Sequence, residues 1–410
     1  MSMLIIGMLF FTIGFATWVN GTLIPYLKIA CELETEVQSY LVATAFFIAY
    51  TLMALPSSYV LGKVGYKRGM SISLGIMAIG ALLFVPAATA RSFDLFLVGL
   101  FIIGTGLALL QTAVNPYVSI IGPIESAATR ISIMGIANKV AGILAGLIFG
   151  YITLSDVDAL ELSLANMSVM EKAVTLDELA SRVIVPYYII SLVLVVLAVA
   201  IWLSKLPEIA EVKEEASGPN KKAEHSSLFS YTHLLLGVLA LFLYVGVEVI
   251  AGDTIISYGK SLGIPLSEAR YFTQITLACM LVGYVIGIFT IPKYISQSKA
   301  LAICAALGVL FSIGALVTTG FSSVIFIALL GLANSLMWPA IFPLSISKLG
   351  KFTKNGSALL VMAISGGAIL PLLYGVLADM MNGQDAYIIL LPCYIYIYFF
   401  AVKGHKIGLS

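Results

Sequence analysis

Charge is what this 410-residue chain most lacks. Asp, Glu, Lys and Arg make up only 10% of it, against 60% hydrophobic residues, and the mean hydropathy is +1.05. A soluble domain carries roughly 25% charged residues, so most of this chain is built for lipid. At about 20 apolar residues per crossing, the length holds roughly twelve spans and no sizeable soluble domain. Histidine is scarce as well: His225, His233 and His405 are the whole supply, and none lies deep in an apolar run. HExxH, GxSxG and phosphate-cradling motifs are absent too, which argues against a membrane-embedded enzyme. The four cysteines, Cys31, Cys279, Cys304 and Cys393, show no CxxC spacing and no neighbouring His. They read as small buried hydrophobes, not as a disulfide or metal site. The composition calls for no cofactor, and a net charge of +1 gives no footing for a nucleic-acid partner.

What is present is a series of uncharged runs. They predict spans at 3–27, 38–61, 69–88, 93–118, 131–153, 183–203, 233–257, 269–291, 300–319, 323–346, 355–377 and 386–402. The runs are continuously apolar and lack the period-two alternation of a lipid-facing barrel, so an all-α membrane protein is expected. Met1 to Tyr26 has no basic leader region or small-residue cleavage site and reads as a retained first helix.

Lys and Arg set the expected orientation. With the N-terminus in the cytoplasm, that side collects Lys63, Lys67, Arg68, Arg130, Lys205, Lys213, Lys221, Lys222, Lys293, Lys299, Lys348, Lys351, Lys354, Lys403 and Lys406. Only Lys28, Arg91, Lys172, Arg182, Lys260 and Arg270 face the other side, beside the acidic runs Glu32, Glu34, Glu36 and Asp156, Asp158, Glu161. The positive-inside rule then places both termini in the cytoplasm. Residues 205–232, rich in charge, Gly, Pro and Ser, read as a cytoplasmic linker between six-helix bundles at 1–204 and 233–410. A weak echo supports internal symmetry: Ile79-Gly80-Ala81-Leu82 in span three recurs as Ile313-Gly314-Ala315-Leu316 in span nine. Between spans five and six, residues 155–182 predict a short surface helix, and Asn166-Met167-Ser168 fits a sequon of the kind common by chance.

Three charges fall inside spans: Lys139, Glu248 and Asp253. Each costs about 2.5–3.5 kcal/mol near a helix centre and so needs a cavity, a partner or a changed protonation state. Lys139 is either half of a structural ion pair or a cavity charge that touches substrate or couples transport, and Glu248 is its preferred partner. Glu248 and Asp253, five residues apart, are separated by about 140° of helix rotation. One is therefore expected to face a central cavity while the other packs against a neighbour or meets external water, with Asp253 equally readable as a rim residue.

Amides complete the candidate site. Asn20 precedes Gly21 in span one, Gln111 and Asn115 share a face in span four, Asn138 adjoins Lys139, and Asn334 and Trp338 stand at i and i+4 in span ten. Amides donate and accept, which suits a hydroxyl-rich ligand, and an indole offers a platform for a sugar face. The alternative for each amide is interhelical glue. Gly-rich stretches at 99–106 and 142–150 imply close helix packing, and Pro116, Pro339, Pro343 and Pro371 interrupt spans.

GFATWVNGTLIPYLK in span one, LFLVGLFIIGTGLALLQTAVNPYVSIIGP through span four, SLFSYTHLLLGVLALFLYVGVEVIAG entering span seven and MWPAIFPLSISKLG in span ten carry a resemblance. They are similar to the fucose-galactose-glucose-proton symporter family of the major facilitator superfamily, nearest its bacterial glucose/galactose transporter branch. That resemblance implies twelve transmembrane helices in two pseudo-symmetric bundles, a central sugar site, alternating access and a bacterial inner-membrane location. It implies a neutral monosaccharide as substrate, membrane lipid as surroundings and a functional monomer. Gly21 stands where the fucose carriers and the glucose/galactose members have a helix-one carboxylate; Gln111 stands where the fucose carriers have a glutamate, and a Gln there resembles the glucose/galactose members. Asn138 matches the family's helix-five asparagine, and Lys139 replaces a usual serine. Coupling to Na⁺ or H⁺ and uncoupled uniport all stay open, as do a channel and a transporter-like sugar sensor.

Overall fold

In a computed structural model the described residues are 2–120, 127–164, 166–204, 206, 228–291 and 293–408. Lys205 and nearly all of the expected linker lie outside them. Twelve apolar helical segments are long enough to cross a membrane: Met3–Ala30, Glu36–Val64, Tyr66–Thr89, Phe93–Asn115, Ile133–Leu164, Val169–Leu203, Thr232–Asp253, Leu266–Thr290, Gln297–Val317, Phe321–Ile346, Asn355–Met380 and Asp385–Val402. Among the described residues there is no strand. The external faces carry the large apolar side chains that water would reject. Span six alone exposes Val185, Ile189, Leu192, Val196 and Leu203, as a lipid-facing helix should.

Local chemistry sets the ends. Thr35 accepts from Gln38 N while the Gln38 side chain accepts from Thr35 N, a capping box that starts span two. Gly65, at φ 80°, turns the chain into span three. At the end of span five and the start of span six, residues 155–182 hold two short helices where one was expected, Val157–Leu164 and Val169–Ser181. Ser168, the last residue of the sequon triplet, is the N-cap of the second, paired with Glu171.

Spans one to six pack mainly on one another, as do seven to twelve, and the two sets meet where span two lies on span eleven and span five on span eight. Glycines permit the closest approaches. A Cβ on Gly104 would strike the Phe46 carbonyl, and Gly80 and Gly99 face each other across spans three and four. Gly80 and its counterpart in the sequence echo, Gly314, each face the next span, Gly314 against the Phe326 ring.

Several spans are broken, and the breaks lie near the centre. Span one is two helices, Ser2–Trp18 and Asn20–Ala30. Span seven ends at Asp253 before a short helix, Ile255–Ser261. Span ten parts into Phe321–Asn334 and Met337–Ile346. Pro343 and Pro371 sit inside helices, while the Pro116 side chain lies outside the described residues.

One end of the molecule is tied across the two sets. Asp379 of span eleven accepts from the backbone N–H groups of Glu36 and Val37 at 2.8 and 3.1 Å, capping the start of span two. Asp158 does the same for Leu266 and Ser267 at 2.8 and 2.9 Å, and Lys260 pairs with Glu161 at 2.6 Å.

A candidate substrate cavity between the two sets of helices

The breaks and the glycines converge on a cavity of about 150 Å³. Its size suits one small molecule, not an extended chain. Trp18, the last residue of its helix, is slotted into the wall by two glycines. A Cβ on Gly142 would lie 2.6 Å from the indole, and one on Gly252 would lie 2.5 Å from it. Spans five and seven can therefore close on either side of the ring. The indole N–H donates to Asn138 Oδ1 at 3.3 Å, and Asn138 Nδ2 donates to the Phe10 carbonyl at 3.4 Å.

Beside the ring stands the charge pair. Lys139 Nζ is 3.0 Å from Glu248 Oε1 and 4.2 Å from the centroid of the Trp18 ring. The two side chains are only 8% and 12% exposed, so each ion relies on the other, and the lysine also on the ring's negative face. On the facing wall Gln111 Nε2 donates to the Tyr50 hydroxyl at 2.8 Å, and Asn115 lies beside them.

Of the nine candidate residues, seven line this cavity: Gln111, Asn115, Asn138, Trp338, Lys139, Glu248 and Asp253. Two do not. Asn334 is buried in the second set, where its Oδ1 accepts from Tyr394 at 2.9 Å. The expected i, i+4 pairing with Trp338 fails because the helix breaks after Asn334 and resumes at Met337. Asn20 is fully buried behind the break in span one, with neither side-chain polar atom hydrogen-bonded.

Asp253 overturns the two expectations attached to it. It is 1% exposed, which excludes a rim position, and it shares the cavity with Glu248. The two carboxylates stand about 140° apart around the helix, and the cavity is wide enough to take both. Tyr244, Glu248, Val245, Val249 and Asp253 all line it, and together they sweep about 180° of the helix.

Sequence reasoning missed the tyrosines. Tyr50, Tyr244 and Tyr284 supply aromatic wall to the cavity. Their signal was a phenol placed mid-span, where a hydroxyl needs a polar neighbour. Gly21 is also informative. A Cβ there would lie 3.1 Å from the Gly252 carbonyl and from Thr273 Oγ1, and 3.2 Å from Asp253 Oδ1.

Twelve spans around a polar, charge-bearing cavity, with the breaks of spans one, seven and ten beside it, define a polytopic membrane carrier. The chain belongs to the Major Facilitator Superfamily, whose pattern matches residues 6–372. It is 35% identical over 402 residues to the glucose/galactose transporter of Brucella abortus, covering 97% of this chain and 93% of that one. It is 32% identical over 403 residues to the L-fucose-proton symporter of Escherichia coli, covering 96% and 90%. The crystal structure of FucP, a Major Facilitator Superfamily transporter in the outward conformation, superposes with a TM-score of 0.74 at 29% identity, covering 98% of both chains. The chain is thus a multi-pass membrane protein and a secondary transporter, not an enzyme.

Proposed function

We propose that this protein imports a neutral monosaccharide of the glucose/galactose type across the bacterial cytoplasmic membrane, as a monomer working by alternating access. The observation that carries this reading is the cavity itself, where Gln111, Asn115 and Asn138 stand among Trp18, Tyr50 and Trp338. Amides match hydroxyls, and flat rings match the apolar face of a pyranose. Relatives named as glucose/galactose transporters support the substrate class.

In this reading residues 1–204 and 233–410 are the moving bundles, and 205–232 is the tether between them. Both termini are cytoplasmic, so the end held by Asp379, Asp158 and Lys260 faces outside. Import begins when those contacts part and ends when the opposite end opens. Lys139 and Glu248 give the cavity fixed charges that cancel, and Lys139 also holds the Trp18 ring against which the sugar rests.

The test is uptake and equilibrium exchange of labelled glucose, galactose and fucose by the purified chain in proteoliposomes. Saturable exchange of one sugar is expected, inhibited by its stereochemical neighbours. Sugar binding without exchange would replace the carrier by a sensor, and non-saturable flux would replace it by a channel. Orientation is tested separately with Cys31 changed to serine. A cysteine placed in 205–232 should resist impermeant thiol reagents in intact cells, and one in 156–178 should react; the reverse pattern would invert the topology.

A further inference from the structure

Glu248 has a lysine; Asp253 has none. Asp253 ends the helix Thr232–Asp253 and lines the cavity, and its Oδ1 is buried with no hydrogen-bond partner. A buried carboxylate oxygen without a donor is a costly arrangement that usually marks a ligand or a proton. Its surroundings indicate which ligand. The Gly252 carbonyl, Thr273 Oγ1 and Asp253 Oδ1 converge beside Gly21, all within 3.2 Å of where a Cβ on that residue would lie. Thr273 spends its hydroxyl hydrogen on the Gly252 carbonyl at 2.6 Å. Each of the three oxygens therefore offers only lone pairs. The helix ends here, so carbonyls of its last turn add the negative end of the helix dipole. Asn20 and Thr22 flank Gly21, both buried, and neither the Asn20 amide, nitrogen and oxygen alike, nor the Thr22 hydroxyl has a hydrogen-bond partner. The Gly252 carbonyl, Thr273 Oγ1 and Asp253 Oδ1, three oxygens that turn lone pairs toward one point, suit a small cation.

We propose that Asp253, with the Gly252 carbonyl and the Thr273 hydroxyl, seats the coupling cation, a Na⁺ ion or a proton, where spans one, seven and eight meet. This rests on the sugar-carrier reading above. Lys139 already neutralises Glu248, so Asp253 is the charge left over in the cavity. With sugar bound and the cavity's water displaced, closing the two bundles around an unneutralised carboxylate is unfavourable, whereas the sugar-free cavity keeps its water around Asp253 and can close. Sugar therefore crosses only with the cation, and the empty carrier returns without either. The titratable groups facing Asp253 are Glu248 and Tyr244 on its own helix, Lys139 from span five, Tyr284 from span eight and Tyr40 from span two.

The test separates the two readings. Reconstituted protein is assayed for glucose and galactose exchange without any gradient, and for accumulation under an inward Na⁺ gradient or an inward pH gradient. A Na⁺ response identifies the alkali cation, and a pH response identifies the proton. Asp253→Asn mimics the neutralised carboxylate, so the ratio of gradient-driven accumulation to gradient-free exchange, both measured on the same preparation, should fall at least tenfold. Absence of exchange in the wild type would sink the sugar reading itself. Exchange with no response to either gradient would sink only the cation site, as would normal accumulation by Asp253→Asn. Should Asp253→Asn fail to fold, Thr273→Val decides: the half-saturating Na⁺ concentration or the pH midpoint should move several-fold, and an unmoved value overturns the proposal.

Discussion

Two carboxylates on one helix, five residues apart and both nearly buried, have opposite surroundings. Glu248 is met by an ammonium at 3.0 Å, while Asp253 Oδ1 is met by no donor at all. The first is an internal pair whose charges cancel without help from outside. On the proposal above, the second is balanced by a cation that arrives. Buried ionic groups thus fall into two kinds here, and the local partner, not the depth of burial, separates them. A paired site should resist change in either partner; if Asp253 takes up a cation, the unpaired site should tolerate neutralisation better.

The sharpest way to break this contrast is to strand Glu248. Lys139→Ala leaves a carboxylate with 12% exposure and no counter-charge, a change that costs about 3–5 kcal/mol. The melting temperature in detergent should drop steeply and uptake should vanish. Lys139→Ala combined with Glu248→Gln should recover most of the stability, since the double change removes both charges. Uptake should stay low, because the Trp18 ring has lost the cation 4.2 Å from its centre. If the double variant regains uptake along with stability, the pair is a structural tie and nothing more. Lys139→Arg should rescue poorly, as a planar fork does not replace a compact ammonium between a ring and a carboxylate.

A smaller effect is expected at the amides. Gln111→Ala and Asn138→Ala should each weaken sugar binding by about 1–3 kcal/mol if a sugar hydroxyl loses its partner in a buried site. Asn138→Ala should be the more severe, because Asn138 also accepts from the Trp18 indole. Titration calorimetry with glucose and galactose measures both. Unchanged affinity in the pair would move the sugar elsewhere in the cavity.

Between the bundles, Asp379 offers a comparison of another sort, a carboxylate matched by backbone donors of the opposite set. Asp379→Asn weakens a cap that stabilises by about 0.5–2 kcal/mol, so the outer end should open more often. Thiol labelling of Ser257→Cys, at a position whose hydroxyl is buried in the recess that Glu36 also lines, should speed up several-fold in a Cys31→Ser background. An unchanged rate would show that this contact does not hold the outer end shut.

Much of this was legible before any coordinates, for physical reasons. Span positions follow from hydropathy because lipid leaves the backbone few options. The Lys139 to Glu248 pairing was foreseeable because two midplane charges of opposite sign are each other's cheapest partner. What failed depended on where helices break. Asn334 and Trp338 share a face only if span ten is continuous, and Pro339, which has no N–H for the Ser335 carbonyl, was the signal that Ser335 and Leu336 turn. Asp253 was misjudged because helical angles give direction but not the width of the space a helix borders. The tyrosines were overlooked because an aromatic in an apolar run carries no charge to draw attention.

The smallest predicted effect concerns the amide that left the candidate site. Asn334 is 1% exposed and accepts from Tyr394 across two spans of the second set, whereas Asn138 reaches the cavity. If place and not residue type decides function, the two asparagines should separate cleanly. Tyr394→Phe removes the donor and keeps the ring, so it should lower stability by about 0.6 kcal/mol, the usual worth of a side-chain hydrogen bond between membrane helices. Sugar affinity and cation response should match the wild type. Asn334→Ala should cost somewhat more, since it leaves the Tyr394 hydroxyl buried without an acceptor. Paired measurements of melting temperature and sugar affinity on these two variants and on Asn138→Ala test the separation directly. Loss of affinity at Tyr394→Phe, with stability intact, would bring Asn334 back into the substrate path and would mean that the cavity extends past the break in span ten when the sugar is bound.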